Sequence, residues 1–228
     1  MVTRLSALGL MSPRLTLAHC VHARAAELDA IAAAGAIIAT NPSSNLHLRS
    51  GVAPISEAIR RGCRVALGVD ASAFDEDDDI VRELRLGHFL HGGWGFETGV
   101  ERLAWLAGAV AHGRRANGAP GSGTLAVGQP ADILVLDLDR LDRDAILPVA
   151  PIDLLFARAT AAHIEHLFVA GREVVRDGAV VGVDLDSAQS LLREDYRGKI
   201  GDRRRFLDAF ASLEPLVIGH YRAMVGCC

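Results

Sequence analysis

The sequence has 228 residues, half of them hydrophobic, with 24 Lys+Arg against 28 Asp+Glu and a formal net charge of −4. That balance excludes the basic footprint of a nucleic-acid binder and leaves room for one large domain or one and a half smaller ones. No apolar run reaches the ~18 residues of a membrane span, and Met1–Leu10 lacks the long apolar core of a secretory signal, so a cytoplasmic protein is expected. Cys20, Cys63, Cys227 and Cys228 show neither zinc nor disulfide-framework spacing, in keeping with a reducing compartment. The vicinal pair Cys227–Cys228 reads as a frayed end in preference to a redox or metal tail.

Residues 14–20 (RLTLAHC) predict a short buried strand, and 23–35 a helix closed by Gly35. Residues 36–41 predict a second strand, 53–62 a helix ending at Gly62, 64–70 a third strand and 80–93 a third helix. Strands apolar nearly throughout, alternating with helices, point to a parallel sheet buried on both faces. These three strands end at His19, Thr40 and Asp70, all polar. In a β/α barrel that C-terminal rim is where chemistry sits.

Beyond about residue 120 the pattern changes. Residues 121–139 (GSGTLAVGQPADILVLDLD) combine a glycine-rich turn with a strand that has Asp132 at its start. Residues 163–181 predict a hairpin with turns at Ala170–Gly171 and Asp177–Gly178. Residues 187–225 are helical in pattern, with Phe206, Phe210, Leu213 and Val217 on one stripe, and Pro215 is expected to break or restart that helix. The expected organisation is a βα array over 1–120, a small β element over 121–183 and a helical tail over 184–228.

His19 ends an apolar strand beside two others with polar ends. An imidazole there can donate to a substrate carbonyl or steady an activated water. Asp70 is by itself as much a turn residue as a ligand; on the same rim as His19 it becomes a candidate metal ligand and proton carrier. Three H-x-x-H spacings, 19–22, 88–91 and 163–166, lack the glutamate of the zincin pattern and read as structural. His22 is expected to open the helix after the first strand. His91, ahead of a glycine-rich turn, could line a pocket mouth. In TNPSSNLHLRSG (40–51), Asn45 either caps a helix or, with the serine hydroxyls, braces the site or touches substrate. The acids Asp75–Asp79 precede a helix, where negative charge complements the macrodipole.

Five stretches, LAHCVH, TNPSSNLHLRSGVAPI, ALGVDAS, GTLAVGQPADILVLDLD and LFVAGREVVRDG, occur in order over residues 14–181 and together resemble the aminohydrolase and chlorohydrolase branch of the amidohydrolase superfamily. That branch includes guanine, 8-oxoguanine and methylthioadenosine/S-adenosylhomocysteine deaminases. The resemblance implies an α/β fold: the last three βα units of a (β/α)8 TIM-type barrel, then part of a small composite β-domain and C-terminal helices. It implies that His19 contacts substrate or the attacking water, and that Asp70 binds a divalent zinc or iron and moves protons. Asn45 and Ser72 would contact substrate. The implied reaction is attack of a metal-bound hydroxide on a ring carbon of an aminated nitrogen heterocycle, with loss of ammonia.

The same family takes three further metal ligands and an acid/base from H-x-H and H-x-x-E motifs, and neither spacing occurs in this sequence. The expectation is therefore an N-terminally incomplete form that does not hold the metal alone. Its function is then a hydrolase completed elsewhere, half of a split enzyme, or a non-catalytic module for binding or oligomerisation. No nucleic-acid or membrane partner is expected. Two open sheet edges are expected to drive self-association or pairing with a complementing N-terminal half.

Overall fold

The computed structural model describes residues 1–71, 77–144 and 146–225. Helix α1 (Val2–Ala7) leads into β1 (Thr16–Ala18), and α2 (Ala25–Ala34) connects β1 to β2 (Ile37–Thr40). Two short helices, α3 (Pro42–His47) and α4 (Ile55–Arg60), connect β2 to β3 (Arg64–Leu67). The three strands form a parallel sheet in the order β1-β2-β3, as their uninterrupted apolar character predicts. Leu17, Ile38 and Val65 are paired across it and all are buried. Gly35 ends α2 in the left-handed region at φ 64°, and the Ala36 amide reaches back to Ile31 O at 3.2 Å. That is the closure a glycine makes cheap. His22 lies in the turn before α2 and does not open it, because the Arg24 amide takes the N-cap place and donates to Glu27 Oε2.

Helix α5 (Ile80–His91) starts on Asp79, whose Oδ1 accepts from the Val81 and Arg82 amides, each at 3.0 Å. Asp79 Oδ2 accepts from the Ala161 amide at 2.8 Å, and Asp77 pairs with Arg82 at 2.7 Å. The acids at 77 and 79 thus belong to the helix start, as their position before α5 suggested. Asp75, Glu76 and the candidate substrate contact Ser72 lie outside the described residues.

Helix α6 (Arg102–Ala116) has no counterpart in the sequence reading. It buries Trp105, whose Nε1 donates to Leu84 O at 2.8 Å, and a Cβ at Gly87 would come within 2.5 Å of that ring. The helix lies against β3. His112 Nδ1 sits 3.1 Å from the Val65 amide nitrogen and 3.0 Å from its carbonyl oxygen. These backbone groups point away from β2, so a side chain engages the outer edge of β3. As expected, the sheet has two edge strands: β1 and β3 each pair on one side only, and α6 lies against β3.

The second sheet is antiparallel, in the order β4-β5-β6-β7. Strand β4 (Ile133–Leu136) is followed by α7 (Leu138–Leu141) and α8 (Pro151–Arg158), then a 3-10 turn at Ala161–His163. Strands β5 (Ile164–Val169), β6 (Arg172–Arg176) and β7 (Ala179–Val180) complete it. Both turns have two residues at positive φ: Ala170 and Gly171 at 50° and 80°, Asp177 and Gly178 at 50° and 76°. Both turns fall where they were expected, and two consecutive positive φ values are the type I′ geometry that suits a two-residue hairpin loop.

Residues 1–181 form one compact unit containing both sheets, and residues 182–228 a second. In the second, Asp184 accepts from the Ser187 amide at 3.0 Å, and α9 (Leu185–Val225) runs 41 residues. It continues through Pro215, contrary to expectation. Proline removes one N–H and crowds one carbonyl, a cost of about 3 kcal/mol that intact turns on both sides can absorb.

His91 is 5 % exposed, packed on Trp105, and burial pushes its imidazole down from 6.5 to about 4. Burial, then Arg102, lowers His88 as well. The unfolded chain takes up these protons below about pH 6.5, and the folded chain resists doing so. Stability is therefore fully present above that pH and falls as pH drops toward 4. The His91 contribution is of the order of 3 kcal/mol, and chemical denaturation of His91→Phe should show a shallower loss over that window. The edge strands of this sheet should drive self-association, measured by sedimentation velocity; a clean monomer at micromolar concentration would contradict it.

Candidate functional site

The parallel ladder continues past the strand ends. The His19 amide donates to Ala39 O at 2.8 Å and the Gly68 amide to Thr40 O at 3.0 Å. The chain then leaves the sheet in the left-handed region, at φ 65° for His19, 50° for Cys20 and 73° for Asp70. For residues other than glycine that conformation costs roughly 1–2 kcal/mol each, and such strain collects at functional sites.

The two side chains expected to share a rim do so. His19 Nε2 lies 3.8 Å from Asp70 Oδ2, with 37 % and 28 % of the side-chain surfaces open to solvent. The Asn45 alternative is resolved by geometry: Asn45 sits inside α3 and caps nothing, and its Oδ1 lies 2.9 Å from His19 Nδ1. Ser44 Oγ donates to Asp70 Oδ2 at 2.6 Å. Both α3 residues are buried, at 0 % and 3 % exposure. Asn41, also buried, brings its side-chain amide within 3.3 Å of His19 Nδ1.

Sequence reasoning had grouped the serines of the NPSSN loop, and the fold separates them. Ser43 faces the other way: its amide donates to Glu83 Oε2 at 3.0 Å. Glu83 comes from α5, is fully buried, and holds the start of α3. Glu83 lies in the first turn of α5, where an acid is ordinary, so nothing in the sequence singled it out. Gly68 was also missed as a site residue; a Cβ there would lie 2.5 Å from the Asn41 amide. An open cleft of about 1080 Å³ runs along β1 beside the site, lined by Thr16, Ala18, His19, Cys20, His22 and Ser50. Burial pushes the Cys20 thiol up to about 11, so it stays protonated at neutral pH and is no nucleophile.

The remaining histidines do not join this group. His91 is buried against Trp105 and lines no pocket mouth, and His163 Nδ1 lies 3.2 Å from the Thr160 amide. Among the described residues, one set of metal-type donors has ligand atoms within 4.8 Å of one another: Glu165, His166 and Asp177 on the second sheet. There His166 Nδ1 is already paired with Glu173 Oε1 at 2.9 Å. No helix among the described residues is long and apolar enough to cross a membrane.

The family model that matches the chain is the amidohydrolase family, over residues 2–174. A 5-methylthioadenosine/S-adenosylhomocysteine deaminase from Syntrophobacter fumaroxidans is 32 % identical over 195 residues, which cover 84 % of this chain and 44 % of that one. A 5'-deoxyadenosine deaminase from Methanopyrus kandleri is 30 % identical, covering 80 % of this chain and 42 % of its own. Among solved structures, a zinc-bound adenosine deaminase from Xanthomonas campestris superimposes with a TM-score of 0.79 at 26 % identity, over 88 % of this chain and 45 % of that one. An atrazine chlorohydrolase from Arthrobacter aurescens complexed with zinc gives 0.71 at 26 % identity, over 82 % and 41 %. The chain spans less than half the length of each of these relatives. With a matching model over most of its length, and the order of its motifs, the chain belongs to the amidohydrolase family.

Proposed function

We propose that this chain carries the last three βα units of an amidohydrolase barrel and part of its active site. The activity is hydrolytic deamination of an aminated nitrogen heterocycle. An adenosine-type nucleoside is the substrate class closest to the names of its relatives. The observation that carries this reading is the meeting of His19 Nε2 and Asp70 Oδ2 at 3.8 Å on the strand-end rim.

The residues present fit one corner of a divalent metal site. Asp70 offers a carboxylate open to solvent, with Oδ2 held by Ser44 and facing His19, so that Oδ1 is the oxygen for zinc or iron. A catalytic zinc takes three protein ligands, and in this reading the others lie outside this sequence, on a preceding segment or a second polypeptide. When bound, the metal supplies a Lewis acid that makes water a nucleophile near neutral pH. Asp70 Oδ2 and His19 Nε2 hold and move the proton that leaves the attacking water and must reach the departing amine. Ser44 fixes the oxygen that takes it. Asn45 fixes the ring that shares it.

A purified chain alone should contain less than about a tenth of an equivalent of zinc or iron, by elemental analysis, and release no ammonia from adenosine-type nucleosides. Completed with a polypeptide bearing the missing ligands, it should gain both metal and turnover. In that completed protein His19→Ala and Asp70→Asn should each cut turnover by about 10²–10⁴-fold. A completed protein that holds metal and works equally well with Asp70→Asn would overturn the assignment. One that neither holds metal nor turns over would mark the chain as a non-catalytic module.

A further inference from the structure

His19 Nδ1 faces two buried side-chain amides, and their orientation decides which ring nitrogen carries the proton. Asn41 satisfies all its partners when its nitrogen donates to Thr40 O and Gly68 O, each at 3.2 Å. Its oxygen is then the atom turned toward Nδ1, at the 3.3 Å separation of amide and ring. Asn45 presents Oδ1 to the same nitrogen at 2.9 Å. A bare Nδ1 opposite two carbonyl oxygens would leave acceptors facing an acceptor at a place where Asn41 and Asn45 are 6 % and 3 % exposed. Such a contact is strongly disfavoured, and a protonated Nδ1 removes it.

We propose that Asn45, together with Asn41, is a positioning residue that clamps His19 in the Nδ1–H form, so that Nε2 carries the free lone pair on the solvent-open rim, beyond direct hydrogen-bond distance of Asp70 Oδ2. Gly68 keeps the space for this clamp: a Cβ at that position would lie 2.5 Å from the Asn41 amide. On the far side, Ser44 commits its hydroxyl proton to Asp70 Oδ2, the oxygen 3.8 Å from Nε2. The site therefore has a direction. A proton arriving on Nε2 completes an imidazolium with Nδ1–H held by the amides and Nε2–H aimed at Asp70. A ring in the opposite tautomer would have no place on Nε2 to receive it. That use of the lone pair rests on the proposed function; the tautomer itself does not.

The test is 15N–1H long-range correlation spectroscopy of the full chain with 15N-labelled histidine. The sample is treated with EDTA and held at about pH 9, above the ordinary imidazole range. The His19 resonances are assigned by their loss in His19→Gln. Expected are a pyrrole-type Nδ1 and a pyridine-type Nε2, with the Nδ1–H form in excess by about tenfold or more. Asn45→Asp, which keeps an oxygen at the clamp, should retain that pattern. Asn45→Ala should move the ratio toward Nε2–H by about tenfold, and Gly68→Ala, acting through Asn41, should move it the same way. A wild-type ring in the Nε2–H form overturns the proposal, as does an unchanged ratio in a folded Asn45→Ala. Should that variant fail to fold by circular dichroism, the wild-type and Gly68→Ala spectra decide. A protein with the Nδ1–H ring but no deaminase activity on completion would reject the proposed function and leave the clamp standing.

Discussion

Two backbone hydrogen bonds set the geometry of the site. The His19 amide on Ala39 O and the Gly68 amide on Thr40 O carry the parallel ladder beyond β1 and β3, on either side of the short central strand β2. Because β2 serves both neighbours, the two outer strands end level with one another. The left-handed turns at His19 and Asp70 then throw both side chains onto one rim. A parallel sheet brings its C-terminal ends to one side by construction, which is why chemistry gathers there in β/α folds.

Support for the site comes from behind. Helix α3 is too short to be stable by itself, yet it delivers Ser44 to Asp70 and Asn45 to His19. Glu83 accepts the Ser43 amide, and the helix that carries Glu83 is in turn capped by Asp79. Asp79 also receives the Ala161 amide, tying the start of that helix to the turn before the second sheet. Burying a carboxylate is costly unless hydrogen bonds compensate it. Here the compensation is spent on fixing the orientation of the helix that brings Ser44 and Asn45 to the rim. The two sheets of residues 1–181 are joined through such polar links as well as through apolar packing.

The parts of the fold that could be read from sequence are those where one local signal dominates. The three parallel strands are short apolar runs with no competing pattern, and α2 and α4 stop at Gly35 and Gly62, whose φ is positive. The I′ turns at 170–171 and 177–178 are two-residue signals with a steric cause. Helix α6 escaped because glycine and alanine dilute its apolar stripe and Glu101 makes no side-chain cap. Pro215 misled in the other direction, since a lost N–H is decisive only where the remaining turns cannot carry the helix. His112 gave no sign of its role, because an imidazole against a strand edge leaves no periodicity.

By itself the sequence determined the alternation of strands and helices, the family, and the identity of His19 and Asp70 as strand-end residues. Each of these depends on order and spacing along the chain. The tertiary structure alone decided which serine reaches Asp70, that Asn45 braces His19 and does not cap a helix, and why glycine stands at position 68. Those facts depend on which atoms of α3, β2 and the turn after β3 come within hydrogen-bonding distance. Side chains 26 residues apart, such as His19 and Asn45 or Ser44 and Asp70, share no local pattern that could announce the meeting.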